Sequence, residues 1–370
     1  MLKEFAICDE RIEPMISIVF CGDLRYCPYL VRYTDRLDAA GAAYEVLFWN
    51  RAALSLDVPA NYHYYDKPSP ESLGKAKKML DFLGFRGWVK KQLRRAKPDG
   101  VIFLSTLSGM FVPELAKKYQ GNYIFDIRDY SYESLPPFYK IERRLIENSY
   151  FTTISSKGFR AFLPEHEYVV AHNFNRNERT EPFVFRRQAP PYQIVWNGTI
   201  RYFDYQKQYL DAFANDPRFT FVYHGEGTDL EQFRSYCEAQ GIRNVRFTGA
   251  YDNKDKALLI RDAAVLNNCY SLDFGDEVRY AVSNRFYDGL VYHIPQIVEA
   301  GSFKAQETAR LGVGLAVDSV KDLPDRLYDY YNHLDAAAFD RACDVALREI
   351  IAEDDAFIRR IDQFIEHVKG

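Results

Sequence analysis

Short apolar runs rich in β-branched residues alternate with segments of helical periodicity along nearly the whole chain. The alternation runs through residues 15–176 and restarts after a proline- and charge-rich stretch at 177–191. Continuous apolar strands separated by helices indicate parallel sheets covered by helices on both faces. The sequence therefore predicts an α/β protein with two doubly wound domains that face each other across a cleft, followed by C-terminal helices.

The pattern also predicts where the strands and domains begin and end. The predicted strands are Ile16–Cys21, Tyr44–Trp49, Gly100–Leu104, Asn122–Asp126, Phe151–Ser155, Tyr168–Ala171, Gln193–Asn197, Phe219–Tyr223, Val245–Thr248, Ala264–Asn268, Gln296–Glu299 and Gly314–Val317. The predicted organisation is an N-terminal extension at 1–14, a Rossmann-like domain at 15–176, a linker at 177–191, a second Rossmann-like domain at 192–345 and a helix at 346–370. We expect that last helix to pack back on the first domain.

Composition excludes several classes of protein. With 370 residues, of which 47% are hydrophobic and 27% charged, the chain can build full cores and is not disordered, collagen-like or a disulfide scaffold. No apolar run approaches the roughly 18 residues of a membrane-spanning helix, and the N-terminus lacks the apolar region of a secretory signal. The six cysteines are widely spaced, which predicts reduced thiols in a cytoplasmic protein.

Two cations follow the first strand of the second series. Gln193–Asn197 is succeeded by Gly198 and Arg201, and Lys207 comes six residues after Arg201. The glycine allows close backbone approach, and a guanidinium beside an ammonium suits a diphosphate. A solvated loop whose cations only begin a helix fits the same spacing, so both interpretations stay open.

A glycine-rich turn, His224-Gly225-Glu226-Gly227, follows the next strand. Glycines between a strand and a helix N-terminus expose backbone N–H groups to an anion, although a tight turn capped by Thr228 explains the pattern equally well. His224 is accordingly either a pocket residue or a turn residue. The turn lacks the third glycine and the downstream acid of a dinucleotide fingerprint, which disfavours a nicotinamide enzyme.

A third candidate element is the predicted helix that begins near Ser283 and Asn284 and continues through Arg285 and Asp288. Ser283 or Asn284 can cap the helix and present free N–H groups to a phosphate. Asp288, one turn further on, can accept hydrogen bonds from the two hydroxyls of a ribose. Taken alone, the segment is also compatible with an ordinary capped helix carrying an exposed acid.

The order of these motifs resembles that of glycosyltransferases with the GT-B fold, and most of all the retaining family 4 group that assembles bacterial capsule, O-antigen and exopolysaccharide. The matching segments are Arg201 with Lys207, Gly225-Glu226-Gly227, Val245-Arg246-Phe247-Thr248-Gly249 and Ser283-Asn284-Arg285-Phe286-Tyr287-Asp288. The resemblance implies that Arg201 and Lys207 bind the diphosphate of a nucleotide-sugar donor. It also implies that the helix beginning at Ser283 offers N–H groups to phosphate while Asp288 holds the ribose. The implied donor-binding set is Gly198, Arg201, Lys207, His224, Gly225, Glu226, Gly227, Ser283, Asn284, Arg285 and Asp288.

The chain departs from the family pattern at the sugar-facing carboxylate. The pattern places an acid at position 280, which is Tyr280 here, and the nearest acids are Asp276 and Glu277. We take Glu277 as the candidate catalytic acid of this half. Because closely spaced Asp-x-Asp is absent from the sequence, we expect no metal, with Arg201 and Lys207 taking the role of a cation; no cofactor is expected beyond the nucleotide-sugar co-substrate.

The first half resembles the same group more loosely. Asp126-Ile127-Arg128-Asp129 is similar to a family segment written Asp-x-His-Asp, with arginine at the histidine position. The resemblance implies that Asp126, Arg128 and Asp129 line the acceptor side, where they orient a hydroxyl or screen charge. The alternative is a buried ion pair at a strand end.

A basic amphipathic segment lies at Lys75–Lys97, which holds nine lysines and arginines against the single acid Asp81. Such segments favour anionic membrane surfaces, although a solvated helix packed on its own sheet is the alternative. Nucleic acid is a poorer partner because the remaining chain is acidic and carries no binding motif.

These observations predict a cytoplasmic glycosyltransferase of the hexosyltransferase type. We expect it to move a sugar from a nucleotide-sugar to a glycan or lipid-linked glycan in surface polysaccharide biosynthesis, with peripheral contact to the inner face of the plasma membrane. The alternative is a non-catalytic nucleotide-sugar or sugar-phosphate binding protein of the same fold.

Overall fold

Two wholly parallel β-sheets, one of seven strands and one of six, organise the chain in this computed structural model, which describes residues 14–70, 73–174 and 183–370. These described residues divide into two units. The first contains those up to Ile154 with Phe162–Ala171 and Asp354–Gly370, and the second contains Ser155–Ala161 and those from His172 to Glu353. The predicted fold class, α/β with two Rossmann-like domains, is confirmed.

The sheet of the first unit has the strand order β3-β2-β1-β4-β5-β6-β7. Its strands are β1 (Met15–Phe20), β2 (Ala43–Asn50), β3 (Tyr62–Asp66), β4 (Gly100–Leu104), β5 (Tyr123–Ile127), β6 (Phe151–Ile154) and β7 (Tyr168–Val170). Its helices are α1 (Val31–Ala39), α2 (Lys75–Ala96), α3 (Thr106–Met110), α4 (Pro113–Lys118) and α5 (Pro136–Asn148). The central strands are buried on both faces, as their unbroken apolar sequences require.

The sheet of the second unit has the order β10-β9-β8-β11-β12-β13. Its strands are β8 (Tyr192–Asn197), β9 (Phe219–His224), β10 (Val245–Gly249), β11 (Ala263–Asn268), β12 (Gln296–Glu299) and β13 (Gly314–Val317). Its helices are α6 (Phe203–Ala212), α7 (Leu230–Ala239), α8 (Lys256–Ile260), α9 (Asp276–Tyr280), α10 (Asn284–Val291), α11 (Phe303–Leu311) and α12 (Leu323–His333). In both sheets the strand order reverses beside the first strand, and the carboxyl ends of the strands there are where ligands bind in doubly wound folds.

The strand β3 was not predicted from the sequence. It reads Tyr-His-Tyr-Tyr-Asp, with no buried residue, and it pairs only with β2 at the edge of its sheet. A strand at the edge of a sheet is partly exposed to solvent, so it does not need apolar residues on both of its faces.

The last helix, α13 (Ala336–Lys369), contributes to both units. Its C-terminal part adds Phe357, Ile361, Phe364 and Ile365 to the hydrophobic core of the first unit. Gly100 gives it room, since a Cβ at that position would lie 2.7 Å from the side chain of Val368. The division between the units falls after Glu353, whereas the predicted domain boundary lies after residue 345.

Some predicted segments fall outside the described residues. These are the N-terminal extension up to residue 13 and residues 177–182 of the linker. Across the described helices, none is both long enough and apolar enough to cross a membrane. The described cysteines are buried free thiols, as predicted: Cys21, Cys27, Cys237, Cys269 and Cys343.

Candidate functional site

Glycines bring the loops after β8 and β9 into direct contact. A Cβ on Gly225 would lie 2.0 Å from the carbonyl oxygen of Gly198, and one on Gly227 would lie 2.0 Å from that of Ile200. Gly198 and Gly225 also have φ angles of 114° and 133°, which favour glycine. The N–H of Gly225 donates to the carbonyl of Gly249 at 2.8 Å. The N–H of Gly225 is therefore not exposed to an anion, which favours the alternative of a tight turn, and donor binding by Gly198, Gly225 and Gly227 stays a prediction.

The two predicted diphosphate ligands lie beyond the carboxyl end of β8. Arg201 is exposed, and its guanidinium lies 4.6 Å from the ring centroid of Tyr202. Lys207 is 43% exposed at its side chain, and its Nζ lies 3.4 Å from a carboxylate oxygen of Asp204. Tyr202, the residue before α6, lies in the left-handed region at φ 69°, which marks a sharp turn of the chain between the two cations. Both cations are open to solvent and to a ligand.

His224 and Glu226 have different surroundings within their turn. His224 is buried, and its Nδ1 lies 2.8 Å from Oγ1 of Thr248. Burial, and then the positive charge of Arg246, lower the pKa of His224, so the imidazole is held neutral. Glu226 is exposed, and its backbone carbonyl accepts from the N–H of Ile200.

The N-terminus of α10 lies next to the end of β11. Ser283 occupies the cap position but makes no capping hydrogen bond, because its hydroxyl donates to the side-chain oxygen of Asn268 at 2.6 Å. Ser283 is therefore the N-cap residue, as predicted, but its side chain makes no capping hydrogen bond. Asn284, the first helical residue, is exposed. The serine hydroxyl therefore caps none of the N–H groups of this helix end, although the N–H of Phe286 donates to the backbone carbonyl of Ser283 at 3.0 Å.

Arg285 is buried and links two strand ends. Its Nε donates to the carbonyl of Asn197 at 3.0 Å, and its Nη1 donates to that of Asn267 at 2.7 Å. The guanidinium carbon lies 3.5 Å from the ring centroid of Trp196, a cation–π contact. Arg285 therefore fixes the ends of β8 and β11, and its role in donor binding stays a prediction.

Asp288 is also buried, and protein groups contact both of its carboxylate oxygens. Nζ of Lys256 lies 2.8 Å from Oδ1, and Nδ2 of Asn197 donates to Oδ2 at 2.8 Å. Protein groups therefore engage both oxygens, and ribose binding by Asp288 stays a prediction. The alternative of an exposed acid is wrong, because Asp288 is buried and paired with Lys256.

The sequence prediction missed Lys256, Asn197 and Asn267. Asn197 closes β8, and Asn267 precedes the last residue of β11, so polar residues ending buried strands are a signal that could have found them. Lys256 carries no such signal, because its burial follows from the position of α8 relative to Asp288.

Glu277, the predicted sugar-facing acid, lies on the short helix α9 and is exposed. Tyr280, at the position where the family pattern has an acid, ends that helix, and its backbone carbonyl accepts from the hydroxyl of Ser156 at 2.6 Å. Burial raises the pKa of the nearby Tyr202, and the charge of Glu277 is among the influences that raise it further. Glu277 is therefore close to the residue that follows Arg201.

Asp126 and Arg128 form a buried ion pair at the end of β5. Nη2 of Arg128 donates to Oδ2 of Asp126 at 2.8 Å, and the hydroxyl of Tyr33 donates to the same oxygen at 2.7 Å. Nη1 of Arg128 donates to the carbonyl of Ala171 at 2.9 Å. Asp126 is fully buried, which favours the alternative of a structural ion pair over direct contact with an acceptor. Asp129, in contrast, is exposed.

A second buried acidic group follows the same strand. Glu142 on α5 has no exposed surface, and Glu133 from the preceding loop is 6% exposed. Burial, and then the charge of Glu133, raise the pKa of Glu142 to about 9. Oε2 of Glu133 accepts from the backbone N–H of Ser131. Glu142 is thus a protonated carboxyl at neutral pH.

Within residues 14–70, 73–174 and 183–370, no group of three or more His, Cys, Asp and Glu side chains is arranged to hold a metal ion.

Solved structures share this architecture over nearly the whole chain. They include sucrose-phosphate synthase from Thermosynechococcus elongatus, at 12% identity and a TM-score of 0.63, with 96% of each chain covered. The lipopolysaccharide outer core galactosyltransferase WaaB matches at 15% identity and a TM-score of 0.59, with 89% of this chain and 94% of that one covered. Anabaena HepE, solved with UDP and glucose, matches at 9% identity and a TM-score of 0.63, with 95% and 100% covered.

These structures are glycosyltransferases of the GT-B fold, and the present chain has that fold. No protein-family model and no curated protein sequence matches the chain.

Proposed function

We propose that this protein is a glycosyltransferase that moves a sugar from a nucleotide-sugar donor to a glycan or lipid-linked glycan acceptor. The observation that carries the proposal is the pair of solvent-open cations, Arg201 and Lys207, beyond the carboxyl end of β8. A chain of the same architecture, Anabaena HepE, has been solved with UDP-glucose. In a doubly wound sheet this edge is where a nucleotide binds.

The donor would be held by its diphosphate and its ribose. Arg201 and Lys207 would bind the diphosphate, and the uncapped N-terminus of α10 would add N–H donors. Asp288 would accept from the ribose hydroxyls, with Lys256 and Asn197 fixing the carboxylate. Arg285 would act by positioning this helix end, since its own donors bind backbone carbonyls.

Transfer would depend on stabilising the leaving diphosphate. As the bond between the anomeric carbon and the diphosphate oxygen breaks, negative charge grows on the diphosphate. The acceptor hydroxyl oxygen bonds to the anomeric carbon, and its proton passes to the departing diphosphate. Cations preorganised near that charge lower the barrier more than they stabilise the ground state. We assign the sugar-facing carboxylate to Glu277 and the acceptor side to Asp129. The resemblance to family 4 implies a retaining reaction. Arg201 and Lys207 would supply the positive charge, so the reaction would be independent of a metal ion.

The test replaces Arg201 and Lys207 singly with alanine and measures sugar transfer and donor hydrolysis across a panel of nucleotide-sugars and acceptors. Loss of one preorganised charge should lower turnover roughly 100-fold or more. Arg243→Ala is the matched control, because Arg243 is exposed and precedes β10, at the amino end of that strand. Wild-type turnover in both variants would remove the diphosphate assignment.

The alternative, a binding protein without turnover, predicts a different result in the same experiment. Nucleotide binding would persist, while neither transfer nor hydrolysis would be measurable with any donor and acceptor. The replacement of the expected acid by Tyr280 is the observation that favours this alternative.

A peripheral membrane contact through α2 is part of the proposal. Its surface carries Met79, Leu80 and Leu83, which are 59%, 64% and 50% exposed, on a helix whose net charge is strongly positive. Exposed apolar side chains beside basic ones suit an anionic bilayer. Serine at these three positions should abolish co-sedimentation with phosphatidylglycerol vesicles, whereas Leu258→Ser, at an exposed site of the second unit, should not change it. Equal sedimentation of both variants would contradict this contact.

A further inference from the structure

A row of four aromatic rings runs from the interior of the second unit to its surface. The ring of Trp196 is buried, and its centroid lies 5.6 Å from that of Tyr270. The next ring is Tyr202, at 5.7 Å from Tyr270, and Phe274 follows at 4.4 Å from Tyr202. Phe274 ends the row and is 48% exposed. Because Tyr202 covers one side of the Phe274 ring, that exposure belongs mainly to its other side.

Cations hold the inner part of this row in place. Nζ of Lys304 lies 4.2 Å from the ring centroid of Tyr270, and the same amine donates to the carbonyl of Asn268 and contacts Glu299. Arg201 lies against Tyr202 at 4.6 Å. Trp196 is buried and Tyr270 and Tyr202 are half-buried, so Phe274 is the ring of the row that exposes most surface to a ligand.

The loop that carries Phe274 is ordered by its own hydrogen bonds. The hydroxyl of Ser271 accepts from the N–H of Asp273, and the N–H of Gly275 donates to the carbonyl of Leu272 at 3.0 Å. Gly275 has a φ of 100°, which favours glycine. The exposed ring is therefore presented in a fixed position, so little conformational freedom would be lost when a ligand binds to it.

Three carboxylate residues lie within three positions of Phe274 in the sequence. Asp273 and Glu277 are exposed, and Asp276 lies between them with its Oδ1 3.6 Å from Nε of Arg279. A flat apolar ring bordered by carboxylates matches a sugar, which has an apolar face of C–H groups and a rim of hydroxyl donors. A nucleobase or an extended apolar chain would not use three acceptors of hydroxyl hydrogen bonds.

We propose that Phe274 is the stacking platform for the sugar ring of the donor, with Glu277 accepting from its hydroxyls. The inference rests on the proposed function, because it assumes that Arg201 holds the diphosphate. Tyr202 joins the two positions, since it contacts both Arg201 and Phe274. A sugar bonded to the diphosphate would then reach the ring of Phe274 while its phosphates bind at Arg201.

The test compares the affinity for a nucleoside diphosphate with that for the corresponding nucleotide-sugar by titration calorimetry. The probes are UDP, GDP and ADP, together with UDP-glucose, UDP-galactose, UDP-N-acetylglucosamine, GDP-mannose and ADP-glucose. In Phe274→Ala the affinity for the nucleotide-sugar that binds wild type best should fall roughly tenfold, as expected for loss of an aromatic stack, while that for its diphosphate stays within about twofold. Phe274→Tyr should retain both affinities, and Val345→Ala, at an exposed site on α13, should change neither.

The outcomes separate this inference from the proposed function. If wild type binds none of the probes, the proposed function fails and the inference fails with it. If wild type binds and Phe274→Ala retains its affinity for the nucleotide-sugar, only the inference is overturned. An equal loss for the diphosphate and its sugar also overturns it, because the ring would then hold the nucleotide.

Discussion

The charged side chains that follow β5 in the first unit and β8 in the second unit differ in their exposure to solvent. After β5 in the first unit, Asp126 and Arg128 are buried against each other, and Glu142 is kept protonated in the interior. After β8 in the second unit, Arg201 is exposed and Lys207 is 43% exposed. The end of β5 therefore carries a desolvated ion pair, whereas the loop after β8 and the start of α6 carry solvated cations.

This difference separates structural charges from charges that are available to a ligand. A buried ion pair has lost its hydration and is held by its partner, so the removal of one member leaves an uncompensated charge. A solvent-open cation contributes little to folding, and its hydration can be exchanged for a phosphate. The second unit also buries ion pairs, such as Lys256 with Asp288, so the contrast is confined to the loop after β8 and the start of α6.

The largest expected effect is on the buried pair of the first unit. Asp126→Ala leaves the guanidinium of Arg128 buried without its carboxylate and removes the acceptor of Tyr33, so the free energy of unfolding should fall by about 3–5 kcal/mol. Denaturant unfolding followed by circular dichroism measures it. Asp129→Ala, at the exposed acid of the same loop, is the control. A decrease of less than about 1 kcal/mol in the free energy of unfolding would show that the guanidinium of Arg128 becomes hydrated in the variant.

A smaller effect, with the opposite sign, is expected at Glu142. Its pKa in the folded state is about 9, against an ordinary value of 4.5, so the folded protein binds a proton that the unfolded chain has released between these pH values. The free energy of unfolding therefore falls as pH rises through this window. Glu142→Gln keeps a neutral side chain, and at pH 8 it should be more stable than wild type by at least about 1 kcal/mol.

Thermal unfolding at pH 5, 7 and 8.5 measures this difference. Glu147→Gln on the same helix is the control, because Glu147 is exposed and pairs with Arg143. Parallel pH profiles for wild type and Glu142→Gln would contradict the buried, protonated carboxyl.

The smallest expected effect on stability is at Arg201. Because Arg201 is exposed and its guanidinium lies against the ring of Tyr202, Arg201→Ala should change the free energy of unfolding by less than about 0.5 kcal/mol. The same denaturant experiment measures it. A loss as large as that of Asp126→Ala would make Arg201 a structural residue and erase the contrast between the two edges.

The sequence predicts the strands far better than it predicts the contacts of the site. Every predicted strand is present within two residues of its limits, because two-sided burial demands unbroken apolar runs such as β4 and β11. The edge strand β3 is not buried on both faces and has no unbroken apolar run, so the sequence did not predict it. Asp288 and Arg285 were found by position, but their burial depends on Lys256 and Trp196, which are distant in sequence. The glycines at 225 and 227 show the same limit, since a loop that packs and a loop that binds an anion have the same composition.

The long helix α13 has a consequence for how the protein is made. The core of the first unit includes Phe357, Ile361, Phe364 and Ile365, more than 180 residues after the last strand of its sheet. A ribosome that has released that sheet has yet to synthesise these side chains, whereas all of the second unit precedes them. The first unit therefore cannot complete its hydrophobic core until translation is almost finished.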